Sequence, residues 1–146
     1  MRIEYVSLNT NHWPLVKDRL GLHWSTDTRG ILALDCDDDD LIVAGVVLNN
    51  WAHNSVQAHI WIDNPMVIRH GLFNEVADFV FNVAQKELLL GVVPSDNEAA
   101  LKLDQHIGFV EKYRIRDGYM QGIDYVILEA RREDVARWLE PVREVA

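Results

Sequence analysis

Residues 94–109, PSDNEAALKLDQHIGF, contain the start and the end of one short helix, directly after the apolar run LLLGVV. Ser95 and Glu98 have the spacing of a capping box, in which two side chains accept hydrogen bonds from free backbone N–H groups at a helix start. Gly108 stands where a left-handed residue ends a helix, and Phe109 can fold back onto that helix. The stretch therefore predicts a helix of about nine to twelve residues, with an apolar face made of Ala100, Leu103 and Ile107.

The segment before this helix predicts a strand, a longer helix and a second strand. Residues 56–63 alternate along a strand, with Gln57, His59 and Trp61 on one face and Val56, Ala58, Ile60 and Ile62 on the other. Apolar residues recur at helical spacing from residue 71 to residue 87, and residues 88–93 form a short apolar run typical of a buried strand. This order is a βαβ unit with two parallel strands. Gly91 indicates either a close approach at the second strand or tight packing under a helix.

The rest of the chain predicts short, mostly antiparallel elements. Strands are expected at residues 3–8, 30–34, 41–48, 110–116 and 125–130, the last two joined across DGYMQG. Residues 11–21 predict a short helix that Asn11 caps and Gly21 ends. Residues 132–142, REDVARWLEPV, predict a final helix that stops near Pro141.

Length and composition predict one cytoplasmic domain, residues 1–146. The chain has 146 residues and one cysteine, Cys36, so no internal disulfide can form. It has no charged-then-apolar leader and no apolar run near about 18 residues, which predicts no membrane partner. The net charge of −9 argues against nucleic acid, because nonspecific binding to phosphates needs a basic surface. That charge is compatible with amine substrates, although many other proteins are equally acidic.

The order of elements, β-α-β-β-β-α-β-α-β-β with a C-terminal helix, resembles the GNAT superfamily of N-acetyltransferases. Asn97, Ala100, Gly108 and Phe109 match that family's N-x-x-A pattern followed by G-F, and IWIDNP at 60–65 is similar to its strand ending in V-x-P. The segment FVFNVAQKELLLGVVPSDN also resembles small members related to ribosomal-protein acetyltransferases, including phage-encoded ones. The resemblance implies an α/β (α+β) GNAT fold: a mixed, mostly antiparallel twisted sheet with a central βαβ unit and splayed parallel strands 4 and 5.

The resemblance implies acetyl-CoA as cosubstrate. Its pantetheine arm would pair with the free strand edge in the gap between residues 56–63 and 88–93, and its pyrophosphate would lie at the start of the next helix. The family's loop there reads Q/R-x-x-G-x-G/A, from which MVIRHGLF at 66–73 departs, since it keeps one Arg and one Gly without the full spacing. The implied cofactor-binding residues are Ile60, Trp61, Ile62, Arg69, His70, Gly71, Leu72, Asn97 and Ala100.

The resemblance also implies direct attack of a neutral amine on the thioester, with a base for the amine and an acid for the thiolate. His59 is the first candidate for the base, ahead of Asp63 and His106. The alternative is an exposed or packed histidine with no catalytic role. Many family members supply the acid as a Tyr four residues before the Gly of G-F, where this chain has Asp104. A carboxyl group can donate a proton at neutral pH only if burial raises its pKa. Tyr113 is the substitute acid considered first, with Tyr119 and Tyr125.

Other functions stay open at this point. The imperfect phosphate loop and the absent Tyr favour a rival hypothesis, in which the chain is a catalytically degenerate GNAT-fold binding or structural module. A longer acyl thioester is a further alternative. The amine acceptor, a small molecule or a protein, is not specified by the sequence, and neither is homodimerisation.

The sequence disfavours several other kinds of site. Cys36 lies among Asp35 and residues 37–40, and negative neighbours raise the pKa of a thiol and make it a poor nucleophile. The histidines show no zinc-ligand spacing, and CDDDDL lacks the Gly and Glu of a calcium loop. The five tryptophans are mostly expected in the core, although Trp51 and Trp61 are candidates to line an acceptor pocket.

Overall fold

A computed structural model describes residues 1–141, in which seven strands form one mixed sheet. The strands are β1 (Ile3–Ser7), β2 (Arg29–Asp35), β3 (Leu41–Asn49), β4 (Ser55–Ile62), β5 (Leu88–Pro94), β6 (Val110–Met120) and β7 (Ile123–Arg131). Their order across the sheet is β1-β2-β3-β4-β5-β7-β6. Neighbouring strands are antiparallel except for β4 and β5, which are parallel, as the βαβ pattern predicted.

Three α-helices accompany the sheet: α1 (Trp13–Leu20), α2 (Leu72–Ala77) and α3 (Glu98–Ile107). Short 3-10 turns lie at Thr10–His12, Pro65–His70 and Ala136–Trp138. The length of α3 and its end at Gly108 confirm the helix predicted from the opening stretch. No helix within residues 1–141 combines the length and the apolar character needed to cross a membrane.

The two faces of the sheet are covered by separate apolar clusters. The larger cluster packs under α2 and α3 and includes Val56, Ala58, Ile60 and Ile62 of β4. The smaller cluster packs under α1 and includes Trp61, whose ring lies over Gly45. The alternation predicted for β4 is thereby confirmed. His59 shares the α1 face with Trp61, because successive strand residues point to opposite faces.

The helix after β4 is shorter than predicted and changes its winding. An α-helical part ends at Ala77, a π-helical part continues over Asp78–Val83, and Gln85 has a positive φ of 54°. The wider π turn rotates the apolar stripe, so Phe81 is buried while Val83 is 65% exposed. The expectation of one regular helix over residues 71–87 was therefore wrong.

Two predicted helix caps are also wrong. Asn97, not Ser95, caps α3: its side chain accepts from Ala100 N at 3.2 Å. Ser95 Oγ instead accepts from the backbone N–H of Asp124, which ties the end of β5 to β7. Before α1, Asn9 caps the 3-10 turn Thr10–His12 by accepting from the N–H of Asn11, and α1 itself follows His12 without a side-chain cap.

The end of the chain differs from the prediction in two respects. β6 continues to Met120, so the turn to β7 is confined to Gln121 and Gly122. The predicted C-terminal helix is reduced to the single 3-10 turn at Ala136–Trp138, and its last predicted residue, Val142, lies outside the described residues. That turn is held by Trp138 Nε1, which donates to the carbonyl oxygen of Ile107 at 2.7 Å.

Candidate active site

The parallel strands β4 and β5 pair over only three residue positions. Ser55, Val56 and Gln57 lie opposite residues 88–90, and the pairing ends there. β4 stays paired with β3 up to Ile62, and β5 stays paired with β7 up to Pro94. Each strand thus keeps its outer neighbour while the inner edges separate. We call the wedge between them the gap.

The backbone of β4 presents unpaired hydrogen-bonding groups to the gap. Asn54 O accepts from Leu88 N, so the even-numbered residues of β4 direct their backbone groups toward β5. Asp63 N donates to Val43 O, so the odd-numbered ones face β3. Beyond the paired positions, the C=O group of Ala58 and both backbone groups of Ile60 and Ile62 therefore face the gap without a strand partner. Such groups require a hydrogen-bond partner from outside the sheet.

A cavity of about 180 Å³ occupies the gap. It lies between β4, β5, the end of α1 and the first turns of α3. The residues that line it are Leu20, Ala58, His59, Ile60, Val92, Val93, Pro94, Asn97, Ala100, Leu103 and Asp104. Two candidate catalytic residues, His59 and Asp104, thus meet in one cavity from opposite sides.

Asp104 is a carboxyl group buried beneath α3. It is 8% exposed, and a Cβ placed on Gly91 would lie 3.2 Å from its Oδ2 atom. Burial raises its pKa to about 7, because desolvation penalises the charged form. A fraction of Asp104 is therefore protonated at neutral pH, which meets the condition under which a carboxyl group at this position can donate. Gly91 leaves room for this side chain and for Phe109, so packing under α3 accounts for the glycine.

His59 is held as a neutral imidazole. Its Nε2 atom lies 2.9 Å from Oδ1 of Asn49 on the neighbouring strand. Burial lowers the pKa of His59, so the ring is uncharged at neutral pH and has a free nitrogen lone pair. Asn49 was not among the predicted site residues. Alternation along a strand indicates which face of β3 carries Asn49. Only the register of the β3–β4 hairpin shows that Asn49 lies beside His59.

Several other candidates lie away from the gap. Tyr113 is 68% exposed on β6. Trp61 is buried over Gly45, and its backbone faces β3. Asp63 forms an ion pair with Arg19 at 3.1 Å, and His106 is exposed on α3. None of these four lines the cavity in the gap. Trp51, the other tryptophan considered for an acceptor pocket, packs against Phe79 and with it lines a separate cavity of about 320 Å³.

The residues predicted to hold the pyrophosphate lie at the wide end of the gap. Arg69 and His70 end the 3-10 helix that follows β4, and Gly71 has a left-handed φ of 91° before Leu72 starts α2. The Arg69 side chain is exposed. The carbonyl oxygen of His70 accepts a 2.6 Å hydrogen bond from the Tyr5 hydroxyl, which fixes this connection to β1. Leu72 is buried, so only its backbone is available to a ligand.

A second, larger cavity lies beside the same end of the sheet. Its volume is about 780 Å³, and it opens between α1, the β2–β3 turn and the residues after β4. Five carboxylates line it, Asp35, Asp38, Asp39, Asp40 and Asp63, together with one guanidinium, Arg19. It shares no lining residue with the cavity in the gap. Its net negative charge favours cations.

No protein-family model matches the sequence, and no curated protein matches it. Solved structures do match. Mutant forms of the spermidine/spermine N-acetyltransferase SpeG from Vibrio cholerae give a TM-score of 0.74 at 14% identity, over 95% of this chain and 100% of that chain. The dodecameric structure of spermidine N-acetyltransferase from Vibrio cholerae in an intermediate state gives a TM-score of 0.73 at 15% identity, over 94% of this chain and 96% of that one. This chain has the GNAT fold.

That likeness confirms the predicted fold class, including the parallel β4–β5 pair within a mostly antiparallel sheet. It extends over nearly the whole of both chains, so the fold is matched as a unit and not as a shared fragment. The resemblance to small ribosomal-protein-related and phage-encoded members stays a prediction.

The burial of Asp104 predicts a pH-dependent stability. Its pKa rises from 3.8 in the unfolded chain to about 7 in the fold. Between these values the folded state keeps a proton that the unfolded state releases, so stability falls as pH rises from about 4 to about 7 and then levels off. At about 1.4 kcal/mol per pH unit, the loss approaches ~4 kcal/mol. Asp104→Asn should remove most of this pH-dependent loss. The measurement is the free energy of unfolding in urea at pH 4.5 and at pH 8.

The matched control is Asp96→Asn, which changes an exposed carboxylate just before α3. It should keep the wild-type difference between the two pH values. If Asp104→Asn and wild type lose the same stability over this range, Asp104 is ionised in the fold and the assignment of its pKa is wrong.

Proposed function

We propose that this protein is an N-acetyltransferase that moves an acetyl group from acetyl-CoA to a primary amine by direct attack. The observation that carries the proposal is the gap itself, where an unpaired strand edge, a neutral imidazole and a partly protonated carboxyl group share one cavity. A thioester with an amide-containing arm and a nearby amine are the reactants that these groups suit. The fold shared with N-acetyltransferases supports the same function.

The backbone of β4 suits the pantetheine arm. That arm is an extended chain with two amides, so it can pair with Ala58, Ile60 and Ile62 as an added strand would. Its polar groups would satisfy N–H and C=O groups that the sheet leaves free. In this arrangement Asn97 and Ala100 border the arm from α3, and Arg69 and Gly71 stand near the pyrophosphate at the wide end of the gap.

The two titratable residues divide the proton transfers. His59 Nδ1 takes a proton from the attacking amine as the C–N bond forms. A backbone N–H in the gap, such as that of Ile60, donates to the thioester oxygen as it gains charge. Asp104 gives its proton to the sulfur as the C–S bond breaks. Both side chains then return to their starting states by exchange with water.

The space in the gap favours a short acyl group. Beyond the 180 Å³ cavity, the apolar space under β4 is only about 20 Å³ and is closed by Phe73, Val76 and Trp138. A longer acyl chain would need these side chains to move apart. Acetyl-CoA is therefore the proposed cosubstrate in preference to longer thioesters.

A cationic amine is the proposed acceptor class. The acidic cavity beside the site favours positive charge, and a polyamine keeps charged nitrogens while one amine is neutral enough to attack. The structural neighbours are named as spermidine or spermine N-acetyltransferases, which makes spermidine the first acceptor to assay.

The rival proposal is a binding module with no turnover. It is favoured by the connection after β4, which forms a 3-10 helix in place of the family's phosphate loop. Acetyl-CoA distinguishes the two proposals, since a ligand that binds only the folded state stabilises it. At about 100 times its Kd, acetyl-CoA should raise the Tm of an enzyme by about 5–10 °C.

A pair of alanine variants makes this thermal-shift measurement specific to the gap. Ala100 is half-buried and lines the cavity, whereas Ala99 is exposed on the same turn of α3. Ala100→Leu should fill the gap and remove the shift, and Ala99→Leu should keep it. If acetyl-CoA does not raise the Tm of the wild-type protein, the enzyme proposal is wrong. If it raises the Tm of both variants equally, acetyl-CoA binds outside the gap.

The pH dependence of activity should follow the ionisation of Asp104. Because its pKa is about 7, kcat/KM for acetyl transfer to spermidine should fall above about pH 7 as the acid is lost. In Asp104→Tyr the decrease in kcat/KM should begin only at about pH 9–10, since a Tyr hydroxyl titrates near 10. Asp104→Asn should lose roughly 100-fold in kcat. Comparing the ratio of variant to wild type at each pH cancels the titration of the amine. A ratio that does not vary with pH would exclude Asp104 as the acid.

We also propose that the protein forms a homo-oligomer through β6. This edge strand is exposed along its whole length, and five of its large apolar side chains are 42–68% exposed: Val110, Tyr113, Ile115, Tyr119 and Met120. Large exposed apolar side chains on an edge strand offer a surface with which a strand of another chain can pair. Sedimentation should show an oligomer that Ile115→Lys dissociates. A wild-type monomer at micromolar concentration would contradict this.

A further inference from the structure

The hydrogen bond between His59 and Asn49 determines which nitrogen of the imidazole is free. Nε2 lies 2.9 Å from Asn49 Oδ1, and an amide oxygen can only accept, so this contact is a hydrogen bond in the tautomer that carries its proton on Nε2. In a neutral ring the lone pair is then on Nδ1. The half-buried His59 ring also lines the cavity in the gap. The same contact therefore sets both the tautomer and the orientation of the ring.

We propose that Asn49 is a positioning residue for acetyl transfer: it holds His59 with Nε2 protonated and Nδ1 available to the amine in the gap. This inference rests on the proposed function for its catalytic part. Its structural part, the identity of the protonated nitrogen, can be tested in the protein alone. Asn49 touches neither substrate, so it acts only through His59.

The place of Asn49 in the hairpin suits this role. It is the last residue of β3 and lies opposite Gln57, two positions from His59 on the same face of the sheet. The next residue, Asn50, has a left-handed φ of 52°, and its Nδ2 donates to Gln57 Oε1 at 2.7 Å. Two adjacent asparagines thus anchor β4 from β3, but only one of them contacts the imidazole.

Few charged groups compete for the imidazole. The neighbours of His59 on its own face of β4 are Gln57 and Trp61, and Val47 lies opposite it on β3. From α1 the cavity receives Leu20, and from α3 it receives Asp104, which is the other titratable group among the described lining residues. An amide that only orients the ring, without charging it, keeps the base neutral. A carboxylate in its place would favour the imidazolium.

The competing interpretation is that this hydrogen bond only fastens the β3–β4 hairpin. A structural role would affect the folded state as a whole, and it would be shared by the neighbouring bond between Asn50 and Gln57. A positioning role would change the state of His59 and the chemical step, with little change in acyl-CoA binding. A structural role therefore predicts a change in Tm, whereas a positioning role predicts a change in the His59 tautomer and in kcat.

Three variants of the full chain test the proposal. Asn49→Leu keeps the approximate size of the side chain and removes the acceptor. Asn49→Asp keeps an acceptor and adds charge. Gln57→Leu breaks the neighbouring cross-strand bond without touching His59. For each, we propose to measure the ¹⁵N and ¹H correlations of the His59 ring at a pH where the ring is neutral, the Tm, and kcat and KM for acetyl-CoA.

In the wild type the proton should be found on Nε2. Asn49→Leu should give mixed tautomers and lower kcat by roughly tenfold or more, with KM for acetyl-CoA within about twofold, because a misdirected base slows the reaction without weakening binding. Asn49→Asp should keep the Nε2 proton and recover kcat at higher pH, since the carboxylate raises the pKa of His59. Gln57→Leu should leave the tautomer and kcat unchanged.

A wild-type ring protonated on Nδ1 would overturn the proposal, whether or not the protein is an enzyme. So would an Asn49→Leu variant with an unchanged tautomer and unchanged kcat, or one whose effects match those of Gln57→Leu in Tm and kinetics. If the tautomer behaves as expected but His59→Ala keeps full activity, Asn49 orients a ring that is not the base. The catalytic part then fails while acetyl transfer itself stands.

Discussion

The separation of β4 from β5 after three paired positions is the constraint on which the rest of this structure depends. Each strand is held on its outer side, β4 by β3 and β5 by β7, so the two inner edges open without loss of the sheet. An unpaired backbone group in apolar surroundings costs about 1–3 kcal/mol. The fold tolerates this cost at Ala58, Ile60 and Ile62, where a ligand with its own amides can supply the missing partners. The affinity proposed for an extended amide chain would therefore come from the backbone of β4 more than from its side chains.

One physical effect prepares both titratable residues in the gap. Removing a side chain from water disfavours its charged form, which lowers the pKa of His59 and raises that of Asp104. At neutral pH the result is an uncharged imidazole and a partly protonated carboxyl group in the same cavity. In water the carboxyl group of Asp104 would be almost fully ionised at neutral pH, and a larger fraction of His59 would be protonated. Gly91 contributes to this arrangement, since a larger residue there would press on the carboxyl group of Asp104.

Periodicity predicted those parts of the fold that local sequence controls. The alternation along residues 56–63 and the end of α3 at Gly108 correspond to interactions within a few residues, and both are confirmed. The errors lie where a distant partner competes. Ser95 leaves its expected capping role because Asp124 on β7 takes its hydroxyl, and the expected C-terminal helix gives way to a turn anchored by Trp138 on Ile107. The Asn49–His59 contact depends on the register of a hairpin, and the pKa of Asp104 depends on packing over Gly91. Neither can be read from spacing alone.

At about 14% identity over nearly the full length of both chains, what this protein shares with its structural neighbours is backbone geometry. A gap made of backbone groups can persist while the side chains around it change, because hydrogen bonding by N–H and C=O groups does not depend on residue type. The chemistry in the gap is then particular to each chain. In the proposed mechanism the acid of this chain is a carboxyl group, Asp104, whose burial raises its pKa to about 7. The proposed mechanism therefore needs no contribution from Tyr113, which is 68% exposed on β6, since Asp104 already lies in the gap with an environment that favours its protonated form.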